Sequence, residues 1–126
     1  MRVIHALDTL DPADGGPPQV AIRQASALAA LGVEVSLLHC EPDPSRRDAI
    51  DAMLAQVPGH ERVPVIELPR GATIGAVVRG SEERTQVLMA HHDVVIQAED
   101  HLIVFVENKR IIPRVEKLFS VGLGFF

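Results

Sequence analysis

The stretch HERVPVIELPRGATIGAVVRG, residues 60–80, decides how the rest of the chain is read. It runs as a turn, a short apolar strand, a Pro-Arg-Gly turn and a longer β-rich strand. The sequence before it has the period of a strand–helix–strand unit, and the sequence after it is a series of short β runs. A seam near residues 60–66, joining two partial units, is therefore expected. With 126 residues the chain has the length of one average domain. Two units leave about sixty residues each, marginal for an independent core, so they share one or are completed from outside.

Composition narrows the class. A hydrophobic fraction of 47% and a charged fraction of 23% are globular values, and no stretch approaches the roughly 20 apolar residues of a membrane span. The start, MRVIHALDTLDPADGG, carries Asp8 and turn formers and lacks the basic, then apolar, pattern of a signal peptide. The single Cys40 has no intramolecular disulfide partner. A cytoplasmic chain without direct membrane insertion is expected. Net charge is −5; through Arg62 there are 5 basic and 9 acidic residues, and beyond it 7 and 8. Neither part offers a basic face, Trp and Tyr are absent, and three of the four Phe fall in the last eight residues. Nucleic acid is not an expected partner.

In the first part, RVIHAL (2–7) suits a buried strand, TLDPADGGPP (9–18) is a turn-rich loop, and QVAIRQASALAALG (19–32) is an Ala- and Leu-rich helix. Pro17 and Pro18 are tolerated at the helix start, and Gly32 suits the left-handed position after its end. VEVSLLHC (33–40) supplies a second strand, giving a Rossmann-like βαβ unit with ligands expected beyond the carboxyl ends of its strands. RRDAIDAMLAQVPG (46–59) is a further helix. Gly15 and Gly16 are the candidate phosphate loop, because glycines ahead of a helix let an anion approach free amides and the positive helix end. The plainer reading of the pair is a tight strand-to-helix turn.

MRVIHALDTLDPADGGPPQVAIRQASALAALGVEVSLLHCEPDP, through about Arg62, resembles the opening of a family 4, GT-B-fold retaining glycosyltransferase. In that family a Gly-Gly loop faces the cleft where acceptor and donor phosphates meet. The resemblance covers only the beginning of such an enzyme and leaves no room for its donor-binding domain. Glu99 and Glu107 match the spacing of the glutamates that mark that domain, but HLIVFV between them is a strand pattern, and the match is assigned to chance. A nucleotide-sugar-dependent transferase fragment is the alternative reading, inactive without that domain.

In the second part VIEL (65–68), TIGAVVRG (73–80), TQVLMA (85–90), VVIQ (94–97) and HLIVFVE (101–107) are β-rich runs separated by turns, expected to form a small, mainly antiparallel sheet. A C-terminal helix follows over 108–119, capped by Asn108, with Pro113 in its first turns and a stripe of Ile111, Ile112, Val115, Leu118 and Phe119. The fold class is α/β (α+β): a Rossmann-like βαβ fragment over 1–62, then a partial second domain over 66–126.

IELPRGATIGAVVRG, with DVVIQAEDHLIVFVENKRIIPRVEKLFSVGLGFF, resembles the C-terminal RCK domain of the TrkA family, cytosolic regulators of bacterial Trk potassium uptake. The resemblance covers about Ile66–Phe126 and rests on Leu-Pro-x-Gly, Ile-Gly-Ala-x-x-Arg, Glu-Asp-His and Val-Glu-Lys-Leu-Phe. It implies a non-catalytic, ligand-sensing and dimerising module, a homodimer through the second half, a Trk membrane channel subunit as partner, and a place at the inner face of the membrane. It also implies a small nucleotide or ion as ligand, with Thr73, Ile74 and Arg79 as the ligand-binding residues. The first strand and helix of that domain are missing, and no GxGxxG fingerprint with a later acidic ribose ligand is present, so no NAD and no other cofactor is expected.

The residues themselves add little more. His91, His92 and Asp93 are metal-ligand types, but neighbours on a strand or turn point apart and no distant third ligand is evident, so a plain turn and no metal is expected. His39 and Cys40 end a strand and face opposite sides, which leaves Cys40 a small buried residue and not a nucleophile.

Overall fold

The computed structural model describes residues 2–81, 83–90 and 93–119. Strand β1 (Arg2–Leu7), helix α1 (Gly16–Ala30) and strand β2 (Glu34–Cys40) form the expected unit, with β1 and β2 parallel from Arg2↔Glu34 to Ala6↔Leu38. Helix α1 starts earlier than its apolar pattern, taking in Pro17 and Pro18 where no intrahelical amide is required. It ends as the sequence predicts. Gly32 takes φ 89°, its amide donates to the Ala29 carbonyl, and the Val33 amide donates to the Leu28 carbonyl, the paired bonds of a Schellman motif. Helix α2 (Arg47–Ala55) follows a short 3-10 turn and buries Ile50 and Met53.

Strands β3 (Val65–Leu68), β4 (Ala72–Ser81), β5 (Arg84–Met89), β6 (Asp93–Gln97) and β7 (His101–Val106) fall where the β runs were read. Their pairing does not follow chain order. A four-stranded sheet has the order β3-β2-β1-β6 and a three-stranded antiparallel sheet the order β5-β4-β7. Two runs expected in the second sheet, VIEL and VVIQ, thus belong to the first: β3 runs parallel to β2, and β6 runs antiparallel to β1 from Val3↔Gln97 to Leu7↔Asp93. The stretches on either side of residues 60–66 are joined by these ladders. Gly80, at φ 115°, brings β4 against β5 at their turn, where a Cβ would run into the Arg84 carbonyl oxygen.

The result is three layers. Helices α1 and α2 cover one face of the four-stranded sheet, where Val3, Leu7, Ile22, Leu37 and Met53 are buried together. The other face carries Ile4, Ala6, Leu38 and Ile96 against Ala72 and Val77 of the three-stranded sheet. Helix α3 (Ile112–Lys117) is shorter than the 108–119 expected, since residues 109–111 are a 3-10 turn capped by Asn108, whose side chain accepts from the Arg110 amide. Val115 anchors α3 in the second core, with Ile111, Leu118 and Phe119 packed beside it, while Ile112 stays exposed. Among the described residues no helix is long and apolar enough to cross a membrane.

Candidate functional site between the two sheets

The parallel strands β1 and β2 end at Leu7–Asp8 and Cys40–Glu41, and at that edge the three-stranded sheet stacks over them. Two adjoining hollows form there. The inner one, lined by Leu38, Cys40, Leu68, Thr73, Ile74 and Val94, offers about 20 Å³, room for one water. The outer one, about 300 Å³, is lined by Glu41, Arg70, Thr73, Phe105 and Glu107, with Cys40 common to both. The β-bulge between Ile74 and Ala76 shapes this edge: β4 slips one residue against β7 there, and the Gly75 carbonyl accepts from the Ala90 amide. Phe105 lies over Gly75, where a Cβ would run into its ring.

Polar groups line the outer hollow. The Arg70 amide donates to Glu41 Oε2 at 3.2 Å, its guanidinium donates to the Pro42 carbonyl at 3.2 Å, and the Glu107 amide donates to the Gly71 carbonyl at 2.8 Å. One cation, two carboxylates, a hydroxyl and an aromatic wall can hold a small polar ligand. Cys40 donates weakly to the Ala72 carbonyl at 3.7 Å, and burial, then the charge of Asp8, pushes its thiol above the usual value. The thiol stays protonated. His39, on the same strand, faces α2 on the opposite side of the sheet, so these neighbours form no nucleophile–base couple.

Thr73 and Ile74 therefore lie together in the cleft, while Arg79 does not join them. It sits six residues along β4, ~20 Å away at the strand rise. Its guanidinium donates twice to Asp100, at 3.0 and 2.9 Å, and to the Val95 carbonyl at 2.9 Å. Asp100, 2% exposed, also accepts from the Gln97 amide at 2.8 Å. Burial alone would raise the carboxyl of Asp100, but the Arg79 bonds and the Gln97 amide hold it below its usual value. The pair ties β4 to β6 and so one sheet to the other. Sequence reasoning passed over Asp100 because AED looks like an exposed turn; the signal present was a lone Arg within an apolar strand, which needs a partner when covered.

Gly15, at φ 98°, precedes α1 beside a hollow lined by Leu7, Asp8, Asp14 and Pro17, and its amide donates to the Pro12 carbonyl. Of the first three residues of α1, Pro17 and Pro18 carry no amide N–H to donate, and Asp8 and Asp14 place negative charge on the wall. Nearby Asp11 caps the preceding turn through the Ala13 amide and holds Arg46 by bonds of 2.7 and 2.8 Å; these contacts, Arg46 first, lower its carboxyl to about 2. His91 and His92, with the side chain of Asp93, lie outside the described residues. Among the described residues no group of three or more His, Cys, Asp or Glu is placed to hold a metal ion.

Neither a family model nor a solved structure matches the chain. Curated relatives do. The Trk system potassium uptake protein TrkA of Halomonas elongata is 61% identical over 61 residues, 48% of this chain and 12% of that protein. This chain is similar to TrkA. The TrkA of Vibrio alginolyticus is 38% identical over 121 residues, 88% of this chain and 26% of that protein, and that of Haemophilus influenzae is 35% identical over 60 residues. An alignment over 88% of the chain cannot be confined to residues 63–126, so the likeness to the Vibrio TrkA extends into the stretch read as transferase-like. The chain spans between 12% and 26% of the length of these relatives.

Proposed function

We propose that this chain is a regulatory module of a Trk-type potassium uptake system, without catalysis of its own. It senses a small nucleotide or ion in the cleft at Thr73 and Ile74, self-associates through its second half, and works at the inner face of the membrane beside a Trk membrane subunit. The observation that carries this is the 61% identity to TrkA over 61 residues. The cleft supports ligand sensing because it lies where two sheets meet, so a ligand there biases how they stack. Self-association is supported by the outer face of the β5-β4-β7 sheet, where Val87, Met89, Ile103 and Phe105 are exposed. A face that presents apolar side chains and little charge suits a second copy of itself.

Size-exclusion light scattering, with thermal melts against potassium chloride, adenine nucleotides, UDP-glucose and GDP-mannose, tests this reading. A dimer that Phe105→Glu converts to monomer, and a melting temperature raised by potassium or an adenine nucleotide but not in Thr73→Val, are the expected results. A monomer stabilised only by a sugar nucleotide would replace it with the glycosyltransferase reading.

A further inference from the structure

On the far side of the four-stranded sheet, away from the cleft, a hollow of about 200 Å³ opens between β2, β3 and α2, lined by His39, Arg47, Ile50, Asp51, Leu54 and Glu67. His39 is 3% exposed, and its Nδ1 is cut off from water without a hydrogen-bond partner. A buried polar atom left in this way calls for an explanation. Its cross-strand neighbour in the parallel ladder is Glu67, on a strand about 4.8 Å away. Glu67 in turn grips Arg47, the first residue of α2, through two bonds of 2.9 and 2.8 Å. A cation in the first turn of a helix opposes the helix dipole, and Glu67 offsets that charge.

We propose that His39, Glu67 and Arg47 form a proton-sensitive clasp: on taking up a proton, His39 draws Glu67 away from Arg47, and the N-terminal turn of α2 is released from the edge of the sheet. The charged groups lining this hollow are Glu67 from β3 with Arg47 and Asp51 from α2. Only Glu67 is both anionic and next to His39 in the ladder, which makes it the acceptor an imidazolium would use. Burial lowers the affinity of His39 for a proton, Glu67 raises it and Arg47 lowers it. The ring is therefore neutral at neutral pH and the clasp is closed; protonation, below the usual histidine range, opens it. The clasp is independent of the potassium-uptake reading.

The test is NMR on the full chain between about pH 8 and about pH 5, following the His39 ring, the Arg47 Nε–H and amide exchange over Arg47–Ala55, corrected for intrinsic rates. The Arg47 signal and the α2 amides should change with the same midpoint as His39, with protection falling as the ring takes up its proton. Glu67→Gln should lower the His39 midpoint and remove the coupled change at Arg47. His39→Gln should leave α2 protection flat across the range. Arg47 and α2 amides that ignore the His39 titration in the wild-type chain would overturn the clasp, as would unchanged pH dependence in His39→Gln. Should that variant not fold, the wild-type midpoints and Glu67→Gln decide the question.

Discussion

The four-stranded sheet is covered on both faces, by α1 and α2 on one and by the second sheet on the other, whereas among the described residues the three-stranded sheet is covered on one face only. Ile4, Leu37, Leu38 and Ile96 of the first are at most 1% exposed, while Met89 and Phe105 of the second are 60% and 62% exposed. The same kind of short β-branched and apolar strand serves in both. What differs is what lies on the far side, so the second sheet carries the free surface and the cleft edge, and the first carries the stability.

That contrast can be broken most directly at Ile96, a second-half residue buried in the first sheet opposite Ile4. Ile96→Ala should cost about 3 kcal/mol, and amide exchange should show residues 2–62 and 65–119 losing protection together. Loss confined to 65–119 would mean that the two stretches fold separately. Next in size is the tie between sheets. Arg79→Ala leaves Asp100 buried and unpaired, and because Arg79 is itself partly exposed a loss of about 2 to 3 kcal/mol is expected in urea unfolding. A cost below about 0.5 kcal/mol would show that the pair does not hold the sheets.

The third is a pH effect. The folded-state pKa of His39 is depressed, so the unfolded chain takes up the proton first, and stability falls as pH drops through the usual value near 6.5 toward the folded value. Asp100 is also depressed, but being an acid its contribution is present above the usual value of 3.8 and lost only as pH falls through its lower folded value. Acid melts should therefore begin to lose stability below the usual histidine value, with a further loss setting in below the usual aspartate value, and His39→Gln should remove only the first. The smallest effect belongs to the free face: Met89→Lys should change monomer stability by less than about 0.5 kcal/mol while weakening self-association. A large stability loss there would mean that this face is not free.

Element positions were largely legible in the sequence, for local reasons. Gly32 ends α1 because a left-handed residue and two carbonyl-capping bonds suit glycine, and Asn108 caps the turn before α3 through a bond spanning two residues. The candidate site was legible in part. Thr73 and Ile74 lie in the cleft, but Cys40, Phe105 and Glu107 reach it from two other segments, and no short-range pattern links them. Arg79, implied as a ligand-binding residue, is instead taken up by Asp100, twenty-one residues away in a turn and beyond the reach of any short-range pattern.

The sequence by itself determined where strands and helices lie, because hydrophobic period, caps and turn glycines act within a few residues of each other. Only the tertiary structure decided which strands share a sheet. VVIQ and VIEL are apolar enough for either one, and their places follow from which partner buries them. The β1–β6 ladder joins residues more than eighty positions apart, a choice made by the shared core on both sides of Ile4 and Ile96 and by the Arg79–Asp100 tie.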